Sequence, residues 1–164
     1  MLVNNIKNKI KKNELTIGSW ITLPNIIIPE LLSYAKFDWL CIDMEHTPIN
    51  LNDVQNLIIS IENNNLTSLV RVGDHDSNNI KRIMDIGADG IIAANVKNKN
   101  EAMNIVNSVK YPSQGKRGVG LYRAQKYGYS LGQYMKWLEK KSIVIVQIES
   151  LEAIENLEEI FSTK

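Results

Sequence analysis

The sequence predicts an α/β fold in which parallel strands alternate with helices. Short apolar runs rich in Val and Ile alternate with longer segments whose apolar residues recur at helical spacing. This is the order of elements in βαβ units. A third observation is that Asp43, Glu45 and His46 end one apolar run, because polar groups gather at strand ends in such folds. Either a doubly wound sheet or a TIM (β/α)8 barrel fits the pattern.

Length and composition predict a single globular domain over residues 1–164. The net charge of +1 gives no argument for a nucleic-acid or anionic-membrane partner, and 44% hydrophobic residues are typical of ordinary globular proteins. No apolar run approaches the roughly 18 residues of a membrane-spanning helix. The single cysteine, Cys41, excludes an internal disulfide framework and favours a reducing, cytoplasmic location.

The first elements follow from local pattern. Residues 1–12 predict a short amphipathic helix and lack the apolar core of a signal peptide. Residues 17–23 predict the first strand. Residues 29–34 predict a helix with its proline early, where the missing N–H does least harm. Residues 39–43 are an apolar run that predicts the second strand.

The central segments continue the alternation. Asn52 is the predicted N-cap of the next helix, whose apolar residues have helical spacing. Residues 68–72 predict a third strand that carries Arg71 near its end. Residues 79–87 predict a short helix closed by a glycine C-cap, and residues 90–94 a fourth strand.

The last segments add a fifth unit. Residues 100–109 predict a helix, and the loop of residues 111–120 has the length of a functional loop but no phosphate-binding glycine pattern. Residues 131–141 predict a helix, residues 143–148 the fifth strand, and residues 151–160 a final helix. A complete (β/α)8 barrel needs eight such units in about 250 residues, so we expect a carboxyl-terminally truncated barrel.

The polar cluster after the second strand predicts acid/base chemistry. Asp43 and Glu45 alternate along an extended backbone, and His46 follows just before Thr47 and Pro48, where the chain turns. A histidine tuned by a nearby carboxylate is a typical general base. The alternative is a histidine satisfied at a strand end beside structural acids.

Two further strand ends carry candidate groups. The planar fork of Arg71 suits a substrate carboxylate or a developing oxyanion, and the alternative is an ion pair with Asp43 or Glu45. Gln147 and Glu149 share one face of the fifth strand. Glu149 suits a hard divalent cation such as Mg²⁺, and the alternative is a polar cap on a buried strand.

Three other polar residues are weaker candidates. On pattern alone, Asp85 is a solvated helix residue and His75 is a solvated loop histidine, because no second metal ligand stands at a suggestive spacing. Arg117, in the long loop, is a candidate for holding a substrate anion together with backbone N–H groups. The alternative for that loop is a plain connection.

Taken together, the ordered motifs resemble the HpcH/HpaI aldolase family, which includes 2-keto-3-deoxy-rhamnonate and hydroxy-heptenedioate aldolases. The resemblance covers about residues 18–160, and each motif is short while the ordered set is specific. The motifs are Asp43-Met44-Glu45-His46, Arg71, Asp85-Ile86-Gly87-Ala88, Tyr111-Pro112 followed by Gly115 and Arg117-Gly118, and Gln147-Ile148-Glu149.

The resemblance implies a TIM barrel, here its first five β/α units, and a class II aldolase. Such an enzyme cleaves or forms a C–C bond of a 4-hydroxy-2-keto acid, giving pyruvate through its enolate and an aldehyde. It implies a divalent metal (Mg, Mn or Co), small-molecule keto acid and aldehyde partners, and a homo-oligomer. It uses no Schiff-base lysine.

The resemblance also implies a role for each site residue. His46 is similar to the family's acid/base histidine, Asp85 to the acid that raises its basicity, and Arg71 to the stabiliser of the enolate oxygen. Gln147 is similar to a substrate contact and Glu149 to a metal ligand. Asp43 and Glu45 are implied as supporting neighbours.

The sequence departs from the family at two places. Residues 94–96 replace a segment that usually carries a proline, and we expect this change to touch no catalytic residue. The family's second metal carboxylate has no counterpart before Lys164. Two other interpretations stay open, namely a non-catalytic remnant of such an enzyme and a citrate-lyase-like enzyme acting on acyl-CoA esters.

Overall fold

A computed structural model describes residues 6–163 as a parallel sheet with helices between its strands. The strands are β1 (Gly18–Ile21), β2 (Trp39–Asp43), β3 (Thr67–Val72), β4 (Gly90–Ala93) and β5 (Ile143–Val146). The helices are α1 (Ile6–Lys11), α2 (Ile27–Ser33), α3 (Leu51–Asn63), α4 (Ser77–Ile86), α5 (Lys99–Val109), α6 (Leu131–Lys141), α7 (Leu151–Glu155) and α8 (Leu157–Phe161). A 3₁₀ helix, Arg123–Gly128, precedes α6.

The strands pair in chain order, from β1 to β5, and every pairing is parallel. This order confirms the predicted barrel-type α/β fold, because a doubly wound sheet would reverse its strand order at a switch point. The register aligns Asp43 of β2 with Arg71 of β3. All carboxyl ends of the strands therefore lie along one edge of the sheet, which we call the strand-end rim.

The two faces of the sheet have different cores. One face packs against the helices through a large apolar cluster that includes Ile42, Val70 and Ile91. The opposite face has a smaller cluster around Cys41, Leu69 and Ile92. Because side chains on a strand alternate between faces, Asp43 and Arg71 share the face of this smaller cluster. This second face corresponds to the inside of a barrel.

Local capping explains where two helices begin and end. Asn50, rather than the predicted Asn52, is the N-cap of α3, since its side chain accepts from the N–H groups of Asn52 and Asp53. The Asp53 carboxylate accepts in return from the Asn50 N–H, which completes a capping box. Gly87 ends α4 at φ 118°, which confirms the predicted glycine C-cap.

The carboxyl-terminal third departs most from the predicted elements. The 3₁₀ helix Arg123–Gly128 was not predicted, and it contains Lys126 and Tyr127 at φ 50° and 54°, so it has no regular apolar period to detect. β5 ends at Val146 rather than at residue 148. The predicted final helix is two helices that meet at Asn156, whose side chain donates to the Lys97 carbonyl.

The only cysteine of the chain, Cys41, lies in the middle of β2 with no exposed surface. Burial raises the pKa of its thiol to about 12, although Arg71 favours the thiolate. Cys41 therefore packs as a small core residue, as its apolar neighbours predicted. Among the helices within residues 6–163, none has both the length and the apolar character needed to cross a bilayer.

Candidate functional site

Polar side chains from three strands meet the strand-end rim. Asp43 is the last residue of β2 and is followed by Glu45 and His46, Arg71 lies near the end of β3, and Glu149 follows β5. The register aligns β2 with β3 and β4 with β5, so these groups stand at one edge of the sheet. β2 and β5 are separated by two strands, or roughly 14 Å along the sheet at the usual strand spacing.

Arg71 and Asp43 form a bidentate ion pair. Arg71 donates from Nε to Asp43 Oδ1 at 2.9 Å and from Nη2 to Oδ2 at 2.7 Å. Asp43 Oδ1 also accepts from the backbone N–H groups of Glu45 at 3.0 Å and His46 at 3.3 Å. Within residues 6–163, the Arg71 Nη1 group has no hydrogen-bond acceptor, so one end of the fork stays available.

This pair keeps both groups charged although it is largely buried. Burial opposes ionisation of Asp43, but hydrogen bonds from Arg71 and from two backbone N–H groups outweigh it and hold the pKa of that carboxyl below its ordinary value. The hydrogen bonds to Asp43 raise the pKa of Arg71. The ion pair anticipated as the structural alternative for Arg71 is therefore present, and it leaves a free donor beside it.

Sequence reasoning did not identify Trp20 and Gly73 as supports of this arrangement. The Arg71 guanidinium lies over the Trp20 ring, with Cζ 4.4 Å from the ring centroid, which fixes its plane. Trp20 pairs with Cys41 in the sheet register, so the two-residue period of β1 could have placed it on the same face as Arg71. At Gly73, a Cβ atom would lie 2.8 Å from Glu45 Cγ, so only glycine leaves Glu45 its position.

His46 is the most accessible group of the cluster. Its side chain is 70% exposed, and its Nε2 lies 3.6 Å from Glu45 Oε2. Glu45 Oε2 also lies 3.4 Å from Arg71 Nε, so Glu45 connects the histidine to the ion pair. The carboxylate beside His46 is therefore Glu45, whereas the resemblance implied Asp85.

Asp85 lies elsewhere in this chain. It is in the last turn of α4, a helix that begins just after the rim and runs away from it. Its Oδ1 accepts from Arg117 Nη1 at 2.9 Å, and no hydrogen bond joins it to His46 in the described part of the chain. The expectation that Asp85 lies close to His46 is wrong for a single chain. Its catalytic role stays a prediction.

Arg117 is also not where its sequence suggested. Its side chain has no exposed surface, because Nη2 donates to Tyr134 Oη at 2.9 Å and the guanidinium stacks on Tyr111 at 4.2 Å. Burial raises the pKa of Asp85 while Arg117 opposes the shift. The backbone N–H groups of Lys116 and Arg117 donate within the protein. The predicted use of Arg117 as an anion ligand is therefore wrong, and Asp85 is not a solvated helix residue.

The second group on the rim is Gln147 with Glu149. Glu149 Oε1 accepts from the backbone N–H of Asn95 at 2.6 Å, and Oε2 lies 3.4 Å from Gln147 Nε2. Gln147 Oε1 is buried and has no partner among the described residues. The expectation that residues 94–96 touch no candidate catalytic residue is wrong, because Asn95 orients Glu149.

The side-chain oxygens of Glu149 and Gln147 are of the type that binds a hard divalent cation, but two side chains are fewer than a complete set of ligands. Glu149 is exposed, and Gln147 has an amide oxygen that is buried and has no partner among the described residues, although its Nε2 is the atom that faces Glu149. Carboxylate and amide oxygens both ligate Mg²⁺ or Mn²⁺. Within residues 6–163, no three His, Cys, Asp or Glu side chains come together as a ligand group. The pair fits as part of a metal site whose other ligands are substrate and water.

His75 is neither solvated nor part of this rim cluster. Its ring Nε2 lies 2.7 Å from the Ala94 carbonyl oxygen, and its Nδ1 lies 3.9 Å from Glu101 Oε2. The prediction of a solvated loop histidine is therefore wrong. The imidazole joins the loop after β3 to the loop after β4.

Comparisons with known proteins agree on one family. The family model HpcH/HpaI aldolase/citrate lyase matches residues 16–164. The chain is 36% identical over 152 residues to 2-dehydro-3,6-dideoxy-6-sulfogluconate aldolase of Pseudomonas putida, an alignment that covers 92% of this chain and 59% of the relative. It is 37% identical over 156 residues to 4-hydroxy-2-oxo-heptane-1,7-dioate aldolase of Salmonella typhimurium, covering 94% and 59%.

A solved structure supports the fold. The crystal structure of an HpcH/HpaI aldolase/citrate lyase family protein from Burkholderia cenocepacia J2315 superposes with a TM-score of 0.88 at 29% identity. The match covers 98% of this chain and 65% of that chain. This chain thus spans about three fifths of the length of the curated relatives that it matches.

Proposed function

The chain belongs to the HpcH/HpaI aldolase/citrate lyase family, and on this premise we propose that it carries the acid/base and enolate-stabilising groups of a carbon–carbon lyase. The reaction is the aldol cleavage or condensation of a 4-hydroxy-2-keto acid, with pyruvate and an aldehyde as the other side of the equilibrium. The observation that carries the proposal is the free Nη1 of Arg71, held at the rim beside an exposed His46.

His46 acts as the base in the cleavage direction. It takes the proton of the substrate's C4 hydroxyl, the C3–C4 bond breaks, and its electron pair moves towards the C2 carbonyl as the aldehyde leaves. The enolate of pyruvate is then protonated at C3. Glu45, at 3.6 Å from the imidazole, stabilises the imidazolium that forms, which is the usual effect of a carboxylate beside a catalytic histidine.

Arg71 stabilises the enolate oxygen. Charge develops on this oxygen as the C–C bond breaks, and a donor that is already oriented needs no reorganisation at that moment. Asp43 holds two of the guanidinium nitrogens and Trp20 holds its plane, so Nη1 points in a defined direction. Lysine cannot replace this group, since a flexible ammonium has no fixed fork.

Glu149 is the proposed ligand of a divalent cation, with Gln147 as a neighbouring contact to cation or substrate. Carboxylate and amide oxygens favour Mg, Mn or Co over a metal that prefers sulfur ligands, and the availability of each metal decides which of the three binds. Such a cation, when bound, supplies positive charge that polarises the keto acid. Asn95 fixes one oxygen of Glu149, and a bound cation would replace the long 3.4 Å contact that Gln147 Nε2 makes with the other.

The remaining proposals follow from the same premise. The partners are a small keto acid and an aldehyde, and the assembly is a homo-oligomer. The cytoplasmic location rests on the single buried cysteine, because secreted proteins of this size more often use disulfides.

A chimaeric enzyme tests the proposal directly. This chain replaces the matching part of the Salmonella typhimurium aldolase, and pyruvate release is followed for a panel of 4-hydroxy-2-keto acids with and without Mn²⁺. We expect turnover that falls by roughly 10²-fold or more in His46→Ala, the usual effect of losing a general base. Tyr129→Ala is the control, because that side chain is 95% exposed and is not one of the rim groups.

The opposite results identify the alternatives. Unchanged pyruvate release in both His46→Ala and Arg71→Lys would contradict the assigned roles. Turnover of acyl-CoA esters but not of keto acids would favour the citrate-lyase-like interpretation. A folded chimaera without turnover of either class would favour the non-catalytic remnant.

A further inference from the structure

We propose that His75 is a positioning residue for Glu149 and acts through the one peptide group that joins Ala94 to Asn95. This role rests on the proposed function of Glu149 as a cation ligand and extends it to a residue outside the rim cluster. His75 lies in the loop between β3 and α4, and Glu149 follows β5. No hydrogen bond joins the two side chains directly in the described part of the chain.

His75 and Glu149 bind opposite ends of the same peptide group. His75 Nε2 lies 2.7 Å from the Ala94 carbonyl oxygen, and the Asn95 N–H donates to Glu149 Oε1 at 2.6 Å. A carbonyl oxygen can only accept a hydrogen bond, so Nε2 carries a proton and His75 is the donor. Two hydrogen bonds through one amide therefore connect the imidazole to the carboxylate.

The planarity of this peptide group passes orientation from one end to the other. The C=O and N–H groups of a peptide lie in one plane, so a donor that fixes the direction of the Ala94 carbonyl also fixes the direction of the Asn95 N–H. The hydrogen bond that the carbonyl accepts also polarises the amide, which strengthens the bond that the N–H donates. Loss of the imidazole donor should therefore weaken the hold of the amide on Glu149.

The peptide group lies where the chain leaves the sheet. The N–H of Ala94 donates to the Val72 carbonyl at 3.0 Å, which continues the pairing of β4 with β3. Asn95 then takes φ 49°, in the left-handed region that asparagine tolerates better than most residues. After this turn the N–H of Val96 donates to the Gln147 carbonyl at 3.2 Å. Backbone bonds thus hold both sides of the turn, and side chains orient the peptide group within it.

Glu101 holds the other side of the imidazole. Its Oε2 lies 3.9 Å from His75 Nδ1 and accepts from the Lys97 N–H at 2.9 Å. Its Oε1 accepts from Asn98 Nδ2 at 3.1 Å, and Asn98 Oδ1 accepts in return from the Glu101 N–H at 3.0 Å. This carboxylate is therefore fixed to the first turn of α5. The His75 ring lies between two fixed oxygen acceptors, which gives its Nε2–H a defined direction.

A purely structural role for His75 is the competing interpretation. In that case the imidazole only ties the loop after β3 to the loop after β4, and its loss lowers stability without changing Glu149. A positioning role has a different consequence in the folded protein. The Asn95 amide and the cation affinity should change together, and a side chain that restores the donor should restore both.

Nuclear magnetic resonance of the chain without metal tests the first part. Ala94-Asn95 is the only Ala-Asn pair in the sequence, so labelling with carbonyl-¹³C alanine and ¹⁵N asparagine gives one signal that reports both ends of this peptide group. We expect Glu149→Gln to move the Asn95 proton upfield, because a hydrogen bond to a charged acceptor is stronger. His75→Phe should move the same proton upfield and shift the Ala94 carbonyl carbon.

Two variants make this readout specific. His75→Gln keeps an N–H donor at a similar distance from the backbone, so it should return the signal most of the way. Asp74→Asn is the matched control, because Asp74 is an exposed neighbour in the same loop, and the signal should stay in place. If His75→Phe does not fold, ¹⁵N labelling of histidine in the unsubstituted chain replaces it. A scalar coupling between the His75 ring nitrogen and the Ala94 carbonyl carbon is expected there, and its absence would overturn the proposal.

Calorimetry with Mn²⁺ in the chimaera tests the second part. His75→Phe should lower the Mn²⁺ affinity roughly 10–100-fold, the usual effect of losing a partner that orients a metal ligand. His75→Gln should recover most of this loss, and Asp74→Asn should show none. Urea unfolding of each variant shows that the protein measured is folded.

The results separate this proposal from the proposed function. An Asn95 signal that stays in place in His75→Phe would overturn the positioning role, and so would a loss of affinity that His75→Gln does not recover. Normal Mn²⁺ affinity in His75→Phe, with weakened affinity in Glu149→Gln, would overturn the positioning role alone. Normal affinity in Glu149→Gln would remove the ligand role of Glu149, and the positioning role would fail with it.

Discussion

Arg71 and Asp43 face each other across β2 and β3, joined by two hydrogen bonds of 2.9 and 2.7 Å. The pair uses one side of the guanidinium and leaves Nη1 unbound within residues 6–163. One residue thus has a structural and a chemical role at once.

Breaking the Asp43–Arg71 pair should destabilise the chain. Both side chains are largely buried, and removal of one partner leaves an uncompensated charge, which costs about 3–5 kcal/mol of unfolding free energy in buried pairs. We expect Arg71→Met to approach this range and Asp43→Asn combined with Arg71→Met to recover part of it. Urea unfolding measures both. Arg82→Met is the control, because Arg82 is exposed, and it should change stability by less than about 0.5 kcal/mol.

Gly73→Ala should lower activity without unfolding the protein. The added methyl group would lie 2.8 Å from Glu45 Cγ, so Glu45 must move relative to His46. In the chimaera we expect kcat to fall about tenfold, in line with a partial loss of acid/base function. Gly132→Ala is the control, since nothing lies within 4 Å of its added Cβ. Equal rates for the two variants would remove Glu45 from the proposed mechanism.

Asp85→Asn should act on stability. Its partner Arg117 has no exposed side-chain surface, so the substitution leaves a buried guanidinium without its carboxylate, at a cost of about 3–5 kcal/mol. Arg117→Met combined with Asp85→Asn should be less destabilised than Asp85→Asn alone. Thermal and urea unfolding of the purified chain decide this. A stable Asp85→Asn chain whose chimaera has lost turnover would instead support the catalytic role implied by the family.

Glu149→Gln should weaken cation binding while keeping the loop in place. The amide oxygen can still accept from the Asn95 N–H, but the negative charge that holds a hard cation is gone. In the chimaera, calorimetry with Mn²⁺ should give an affinity lower by about tenfold or more. Glu158→Gln, in α8, is the matched control. Unchanged Mn²⁺ affinity in Glu149→Gln would exclude Glu149 as a ligand.

Asp89 should make stability depend on pH in a direction opposite to Asp43. Burial raises the pKa of Asp89 to about 6, against hydrogen bonds from Ser68 that favour ionisation. The folded state therefore binds the proton more tightly than the unfolded state, and this group's contribution is lost as pH rises from about 4 to 6. The difference in unfolding free energy between Asp89→Asn and the unsubstituted chain should therefore be more favourable to the variant at pH 8 than at pH 4, by on the order of 1–3 kcal/mol. Urea titrations across this range measure the difference.

Much of the fold could be predicted from local pattern. β2 and α6 begin and end where the sequence predicted. The apolar run of β2 and the helical spacing of apolar residues in α6 both end sharply at those boundaries. The boundaries at Asn50 and Asn156 could not be predicted as well. The first depends on a reciprocal capping box, and the second on a side chain that reaches Lys97 across the fold.

The sequence predicted which site residues lie at strand ends, but it did not predict which side chains contact one another. Residue order places Asp43, Arg71 and Glu149 at one rim, since parallel strands end together. The partners of Asp85 could not be predicted, because Arg117 comes from a loop 32 residues away and is buried by tyrosines. Trp20 was overlooked for a similar reason, since its contact with Arg71 spans two strand pairings.

The buried thiol of Cys41 can be used to measure how often the centre of the sheet opens. It is the only cysteine, it has no exposed surface, and its pKa of about 12 leaves almost no thiolate at neutral pH. An alkylating reagent therefore reacts only when β2 separates from its neighbours, at a rate set by how often that happens. The mass increase from this alkylation, followed over time, therefore measures how often the centre of the sheet opens, with no engineered cysteine.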